Sequence, residues 1–341
     1  MFLQRRHPVV FAAILLIAVL ALTGCGKTQS ADKGSGEKEQ KSATADYPEQ
    51  PITYIIPFNP GGQSDIEARR QQPYLEKDLG VKVNITYKPG GGGATGWAEL
   101  VLAKPDGYTL CGFNIPHIIL QPMERGNTGY KTEDIVPVAV FQATPIGLAV
   151  PKDSQFKTLD DFIKYAKDNP NKVTITGSGT YTGHHITYLQ LQKLAGIKMT
   201  YVPTTGAAPA VQNLLGGHVQ AMLGNSNDLV QHQDKIRVLA MASEKRFAAL
   251  PNVPTFKELG YNIIESIDRG VAVPPKTPPE IIKRLEKAFL AIANNEEVKN
   301  QQIKQGFVPV SMGHDEAVKY IKTKTDEYSK LVDDLKATAG K

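Results

Sequence analysis

Tyr54-Ile-Ile-Pro-Phe-Asn-Pro-Gly-Gly-Gln-Ser-Asp65 reads as a strand that runs into a glycine turn and then a helix. Ile52, Tyr54, Ile55 and Ile56 form an apolar run of strand length. Pro57 and Pro60 end it, because proline cannot donate to a ladder. Gly61-Gly62 frees the backbone to turn sharply. Ser64 or Asp65 can then supply an oxygen to cap a helix beginning near Ile66. The first N–H groups of such a helix lack partners and carry partial positive charge, aimed at whatever sits beyond the strand end. One such junction is an ordinary connection.

The same construction recurs. Val81 to Tyr87 alternates as a strand and leads into Lys88-Pro-Gly-Gly-Gly-Gly-Ala-Thr-Gly96, with a helix from about Trp97 to Ala103. Val173-Thr-Ile-Thr176 leads into Gly177-Ser-Gly-Thr-Tyr-Thr-Gly-His-His185 and a helix to Leu194. Met199 to Val202 leads into Pro203-Thr-Thr-Gly-Ala-Ala-Pro209 and a helix through Leu215, and Val219 to Leu223 ends in Gly224-Asn-Ser-Asn-Asp228. Val136 to Val150 is strand-like, broken at Pro137 and Pro145, and two long helices over about 280–293 and 315–336 close the chain. Alternation of this kind implies an α/β fold on a parallel sheet, with ligands beyond the carboxyl ends of the strands. Polar Gly, Ser and Thr loops at strand ends in both halves suit a cleft between two domains better than a catalytic pocket.

The N-terminal end reads as an address rather than as fold. Arg5 and Arg6 precede the apolar run Val9 to Ala21 and the box Leu22-Thr-Gly-Cys25. Residues 1–25 are therefore a signal peptide, whose apolar run is too short for a comfortable membrane span. The box resembles that of bacterial lipoproteins, which implies a lipidated Cys25, membrane anchorage and an extracytoplasmic location. Residues 26–46 hold no large apolar side chain and form a flexible tether reaching about 70 Å at most. Residues 47–341 are enough for two domains with cores. The net charge of +5 falls to +3 once Arg5 and Arg6 are removed, and no basic run is interleaved with aromatics. Nucleic acid is excluded as a partner on that ground. Cys111, the second of two cysteines, sits in an apolar stretch as a buried thiol.

Catalytic motifs do not assemble. Gly177-Ser178-Gly179 lacks the spacing of a nucleophile elbow, which leaves a serine hydrolase built on Ser178, His185 and an unplaced aspartate as a minor alternative. His184 and His185 are adjacent, so one is expected to pack and the other to face solvent. No histidine or carboxylate spacing points to a metal. Gly90 to Gly96 is neither a phosphate-binding loop nor a dinucleotide fingerprint, and no cofactor is expected.

Pro57-Phe-x-Pro-Gly-Gly-x-Ser-Asp65, Lys88-Pro-Gly-x-Gly-Gly-x-x-Gly96, Pro105-Asp-Gly-Tyr-Thr-Leu110 and Gly206-Ala-Ala-Pro-Ala210 resemble the substrate-binding receptors of tripartite tricarboxylate transporters, the Bug family. Leu250-Pro-x-Val-Pro-Thr-Phe256 and Ala272-Val-Pro-x-x-Thr-Pro278 match too, so the resemblance spans nearly all of 47–341. It implies a type II periplasmic-binding-protein fold, with two α/β domains joined by two crossing strands. It also implies a monomer that closes like a flytrap on a small carboxylate, delivers it to membrane permease subunits and catalyses nothing. On this chain the domains become 52–148 with 272–341, and 149–271. The family's ligand contacts map onto Phe58, Asn59, Gly62 and Gln63, and onto Ser178, Gly179, Thr180, Thr205, Gly206, Ala207 and Ala208. Asp65 is expected to cap its helix instead, since a second anion would repel the ligand. A receptor presenting its ligand to a sensor kinase would use the same fold.

Two positions depart from the family pattern. Gln63 stands where a small residue is common, and Asp268-Arg269-Gly270 where many members carry an aromatic before the glycine. Arg269 could reach the cleft as a bidentate carboxylate clamp, or pair with Asp268 or Glu265 at the surface.

Overall fold

Ile52, Tyr54 and Ile56 of β1 (Ile52–Ile56) enter one core while Ile55 enters another, so the strand is covered on both faces. The computed structural model describes residues 47–339; the lipoprotein box, Cys25 and the whole tether lie outside the described residues. After β1 come α1 (Gln63–Leu79), β2 (Val83–Tyr87), α2 (Ala94–Leu102), β3 (Thr109–Ile115), α3 (His117–Arg125) and β4 (Val136–Pro151). Next are α4 (Leu159–Asp168), β5 (Thr174–Gly177), α5 (Gly183–Ala195), β6 (Thr200–Pro203) and α6 (Ala207–Leu215). Then follow β7 (Ala221–Asn225), α7 (Ser226–Gln231), β8 (Ile236–Met241) and β9 (Ser266–Val273). α8 (Pro279–Ala293), α9 (Glu296–Lys304), β10 (Val308–Met312) and α10 (His314–Ala339) complete the chain.

The strands are ordered β2-β1-β3-β9-β4-β7-β5-β6, with β8 and β10 also paired to β4. β4 and β9 are the shared members. Val136 to Pro145 pair with β9, whereas Ile146 to Pro151 pair with β7 and β8. Pro145 stands where the strand changes partner, a place that can spare a donor, and a register shift beside Pro137 accommodates the other proline. The two prolines therefore bend one long strand instead of breaking it.

The sheet is mixed, not parallel. β1, β2 and β3 run parallel, as do β5, β6 and β7, but β9 is antiparallel to β3 and β4, and β7, β8 and β10 are antiparallel to β4. Strand–helix alternation sets direction only for strands linked by a crossover helix, and β4 and β9 are not so linked. The lobe of β1–β3 buries Tyr54, Leu75, Val138, Val271 and Phe289. The lobe of β5–β8 buries Leu148, Phe162, Ile175, Leu191 and Leu223.

Candidate functional site

The β1–α1 loop meets the strand ends of the second lobe around a small closed cleft. Its lining is Phe58, Gly62, Gln63, Ser64, Asn114, Ser178, Ala207, Asn225 and Arg269, and the enclosed cavity measures ≈ 20 Å³.

Two helix starts face this space without side-chain caps. α1 begins at Gln63 with Gly62 as its N-cap, and α6 begins at Ala207 with Gly206 as its N-cap; neither cap has a side chain to offer. This corrects the expectation that Ser64 or Asp65 caps α1. Asp65 lies inside the first turn, where its carboxylate accepts from Gly61 N at 2.8 Å, Tyr87 Oη at 2.7 Å and Arg69 Nε at 2.9 Å. Its charge is thereby satisfied away from the cleft, and N–H groups of both helices remain for an anion.

Arg269 is 3 % exposed. Nη1 donates to Thr144 Oγ1 at 2.6 Å and to the Ile267 carbonyl at 3.1 Å, and Nη2 donates to Asn225 Oδ1 at 3.1 Å. Nε is buried with no partner among the described residues. Burial lowers its pKa to about 10, with Asp228 and Asp268 opposing, so it stays a cation at neutral pH. The surface-pair alternative fails. Neighbours on a strand point to opposite faces, and Asp268 faces α10, accepting from Tyr320 Oη at 2.5 Å and Ser266 Oγ at 3.1 Å. Glu265 accepts from Tyr328 Oη at 2.6 Å.

Behind the lining, Asp228 accepts from Gln63 Nε2 at 2.7 Å and from Asn225 Nδ2 at 3.1 Å. Burial pushes this carboxyl upward, against those hydrogen bonds and Arg269. Ser178 lies beside His184, whose Nδ1 is 2.6 Å from Oγ and accepts from Ser178 N at 3.1 Å. Burial, with Arg269 adding, drives the His184 pKa down to about 3. His185 is not solvent-facing as expected. It is half-buried, stacked on Tyr188 at 5.8 Å and tilted against Tyr201 at 4.9 Å, and its Nδ1 accepts from Tyr181 N.

Phe58, Gly62, Gln63, Ser178, Ala207 and Arg269 thus come together on the lining, whereas Asn59, Gly179, Thr180, Thr205, Gly206 and Ala208 do not. Several of the latter are where the lobes touch. Thr180 Oγ1 accepts from Arg125 Nη2 at 2.6 Å, and its carbonyl accepts from Gln121 Nε2 at 2.7 Å. A Cβ on Gly206 would lie 3.7 Å from Asn59 N, and one on Gly179 would lie 3.2 Å from Gly92 Cα. Ser64, Asn114 and Asn225 line the cavity without having been expected. Asn114 and Asn225 are polar residues near the ends of otherwise apolar strands, a signal that position alone could have supplied.

A family model described as "Tripartite tricarboxylate transporter family receptor" matches residues 67–336. The chain is 33 % identical over 289 residues to "UPF0065 protein in gbd 5'region" of Cupriavidus necator, covering 84 % of each. It is 30 % identical over 295 residues to "Protein BugT" of Bordetella pertussis (strain Tohama I / ATCC BAA-589 / NCTC 13251), covering 84 % of this chain and 89 % of that one. Among solved structures, one described as "Structure of a periplasmic transporter" superposes with a TM-score of 0.80 at 29 % identity, over 84 % of this chain and 97 % of the other. Among the described residues, no helix is long and apolar enough to cross a membrane.

Proposed function

Because the chain belongs to the tripartite tricarboxylate transporter receptor family, we propose that it captures a small carboxylate between its lobes and hands it, chemically unchanged, to cognate membrane permease subunits. The observation that carries this reading is Arg269, a buried cation on the lining of a cleft faced by two uncapped helix starts. Cation and helix N-termini favour the same ligand charge. The lobes divide as 52–148 with 272–341, and 149–271, because a chain that returns to its first lobe crosses twice. Two crossings confine the motion to a hinge. Cys25 carries a lipid that holds the receptor at the membrane outside the cytoplasm, and the body works as a monomer.

A thermal-shift screen of carboxylates tests the capture. A ligand at 100 times its dissociation constant adds about 2.7 kcal/mol of stability, and a panel in which no carboxylate raises Tm overturns the reading. The anchor is tested by Cys25→Ser, which leaves the protein unprocessed or soluble; a cleaved variant that still partitions wholly into membranes removes the lipid from the account.

A further inference from the structure

Gln63 and Asp228 meet across the cleft, one at the start of α1 and the other in α7. A carboxylate oxygen accepts, and both amides that touch Asp228 turn their NH2 group toward it. Asp228 takes Nε2 of Gln63 at 2.7 Å and Nδ2 of Asn225 at 3.1 Å. The orientation this gives Asn225 agrees with its other side, where Oδ1 accepts from Arg269 Nη2 and from Thr144 Oγ1. On Gln63 the same orientation leaves the carbonyl oxygen Oε1 facing away from Asp228, with no hydrogen bond to any described residue, on a side chain that lines the cavity. The cleft lining therefore carries both a cation and a fixed acceptor.

The tie also sets length. Gln63 spans the gap to Asp228, and what remains enclosed is ≈ 20 Å³, on the scale of a single water. Any ligand has to widen this space, and a long one has to widen it more than a short one.

We propose that Gln63 is the specificity-determining residue of this cleft, and that its ligand is a short carboxylate carrying a hydrogen-bond donor on the neighbouring carbon, a 2-hydroxy or 2-amino acid. This rests on the carboxylate-capture reading above. The carboxylate meets Arg269 and the helix starts, and the donor meets Gln63 Oε1. An analogue without the donor leaves that oxygen unpaired, which is how polar sites reject close isosteres.

Calorimetry of the protein and two variants decides it, with lactate, propionate and glutarate as probes. Lactate and propionate differ by one hydroxyl, and glutarate is a longer dicarboxylate. The wild type should bind lactate at least tenfold tighter than propionate, and tighter than glutarate. Gln63→Met keeps the volume and removes the acceptor, so the lactate-to-propionate ratio should fall close to one. Gln63→Ala should lose the same ratio and gain affinity for glutarate. The proposal is overturned if the ratio survives both substitutions, or if glutarate is the wild type's best ligand and Gln63→Ala leaves it so. That second result would keep the capture reading intact, whereas binding of none of the three would count against both.

Discussion

Tyr328, on α10, donates to Glu265, at the foot of the crossing strand β9, at 2.6 Å. Burial pushes the Glu265 carboxyl up to about 8, with Lys324 and the tyrosine hydroxyl opposing and Asp268 adding to the rise. A carboxyl raised on folding from 4.5 gives stability that is full below 4.5 and lost as pH climbs through 8. The buried histidines act the other way. His184 falls from 6.5 to about 3 and His185 to about 4, and His117 falls well below 6.5. Their stability is present above 6.5 and is lost on acidification.

Thermal stability should therefore peak near pH 6.5 and decline toward 8.5, as scanning calorimetry at pH 5, 6.5 and 8.5 would record. Glu265→Gln should flatten the alkaline decline and steepen the loss between pH 6.5 and 5, because the Glu265 window opens at 4.5 and opposes the histidines there. A wild-type Tm still climbing at pH 8.5 would remove Glu265 from the argument.

Arg269 is the second test. Truncation to alanine removes the buried cation and its N–H groups from the Ile267 carbonyl and Asn225 Oδ1, although Thr144 Oγ1 still donates to Asn225 Oδ1. Losing one member of a buried charged pair with ligand should cost roughly 2–5 kcal/mol of binding, about thirtyfold or more in affinity. Arg269→Lys keeps the charge but not the planar fork, and should fall between the two. Affinity for the cognate carboxylate is read by titration calorimetry beside a melting curve, which separates lost binding from lost folding. Unchanged affinity in Arg269→Ala would sink the clamp.

The sequence made the loops legible because Gly and Pro report local backbone needs, and β1, β2, β5, β6 and β7 each lie where the alternation puts them. It hid β10, α9 and α3, which are short and are flanked by at most single glycines. It also hid strand direction, since antiparallel β9 and β4 are partners through tertiary pairing alone. At the site, Gln63 and Arg269 stood out as departures from a pattern. Asp228 did not, because its role depends on Gln63, 165 positions away. No local period reports such a separation.

Closure supplies the third test. Gly92 has φ +70° and Gly179 φ +88°, and the two backbones approach so nearly that a Cβ on Gly179 would sit 3.2 Å from Gly92 Cα. Gly179→Ala meets both obstacles, the left-handed backbone, costly by about 1–2 kcal/mol for an L residue, and the facing strand of chain. Small-angle scattering should show a lobe arrangement more open than the wild type's in saturating ligand. Affinity should drop with it. A Gly179→Ala protein that compacts on ligand to the wild-type radius would show that this contact does not limit closure.

Ser178 and His184 raise the last question, whether the cleft does chemistry. Oγ lies 2.6 Å from Nδ1, the spacing of an activated nucleophile and its base. Three features oppose that role. The same Nδ1 already accepts from Ser178 N at 3.1 Å. Nε2 is buried with no partner among the described residues, so nothing there stabilises an imidazolium. Burial also holds the His184 pKa at about 3, whereas a general base works best with a pKa near the operating pH. His185, the partner expected from the sequence, accepts from Tyr181 N instead. The pair is thus built to orient Ser178, whose hydroxyl lies on the cavity lining. Ligand recovered after stoichiometric incubation at pH 7.5 should be unchanged by mass and by NMR. Ser178→Ala should shift affinity by about 1 kcal/mol, the worth of one neutral hydrogen bond. A product formed by the wild type and lost in Ser178→Ala would make this cleft an active site.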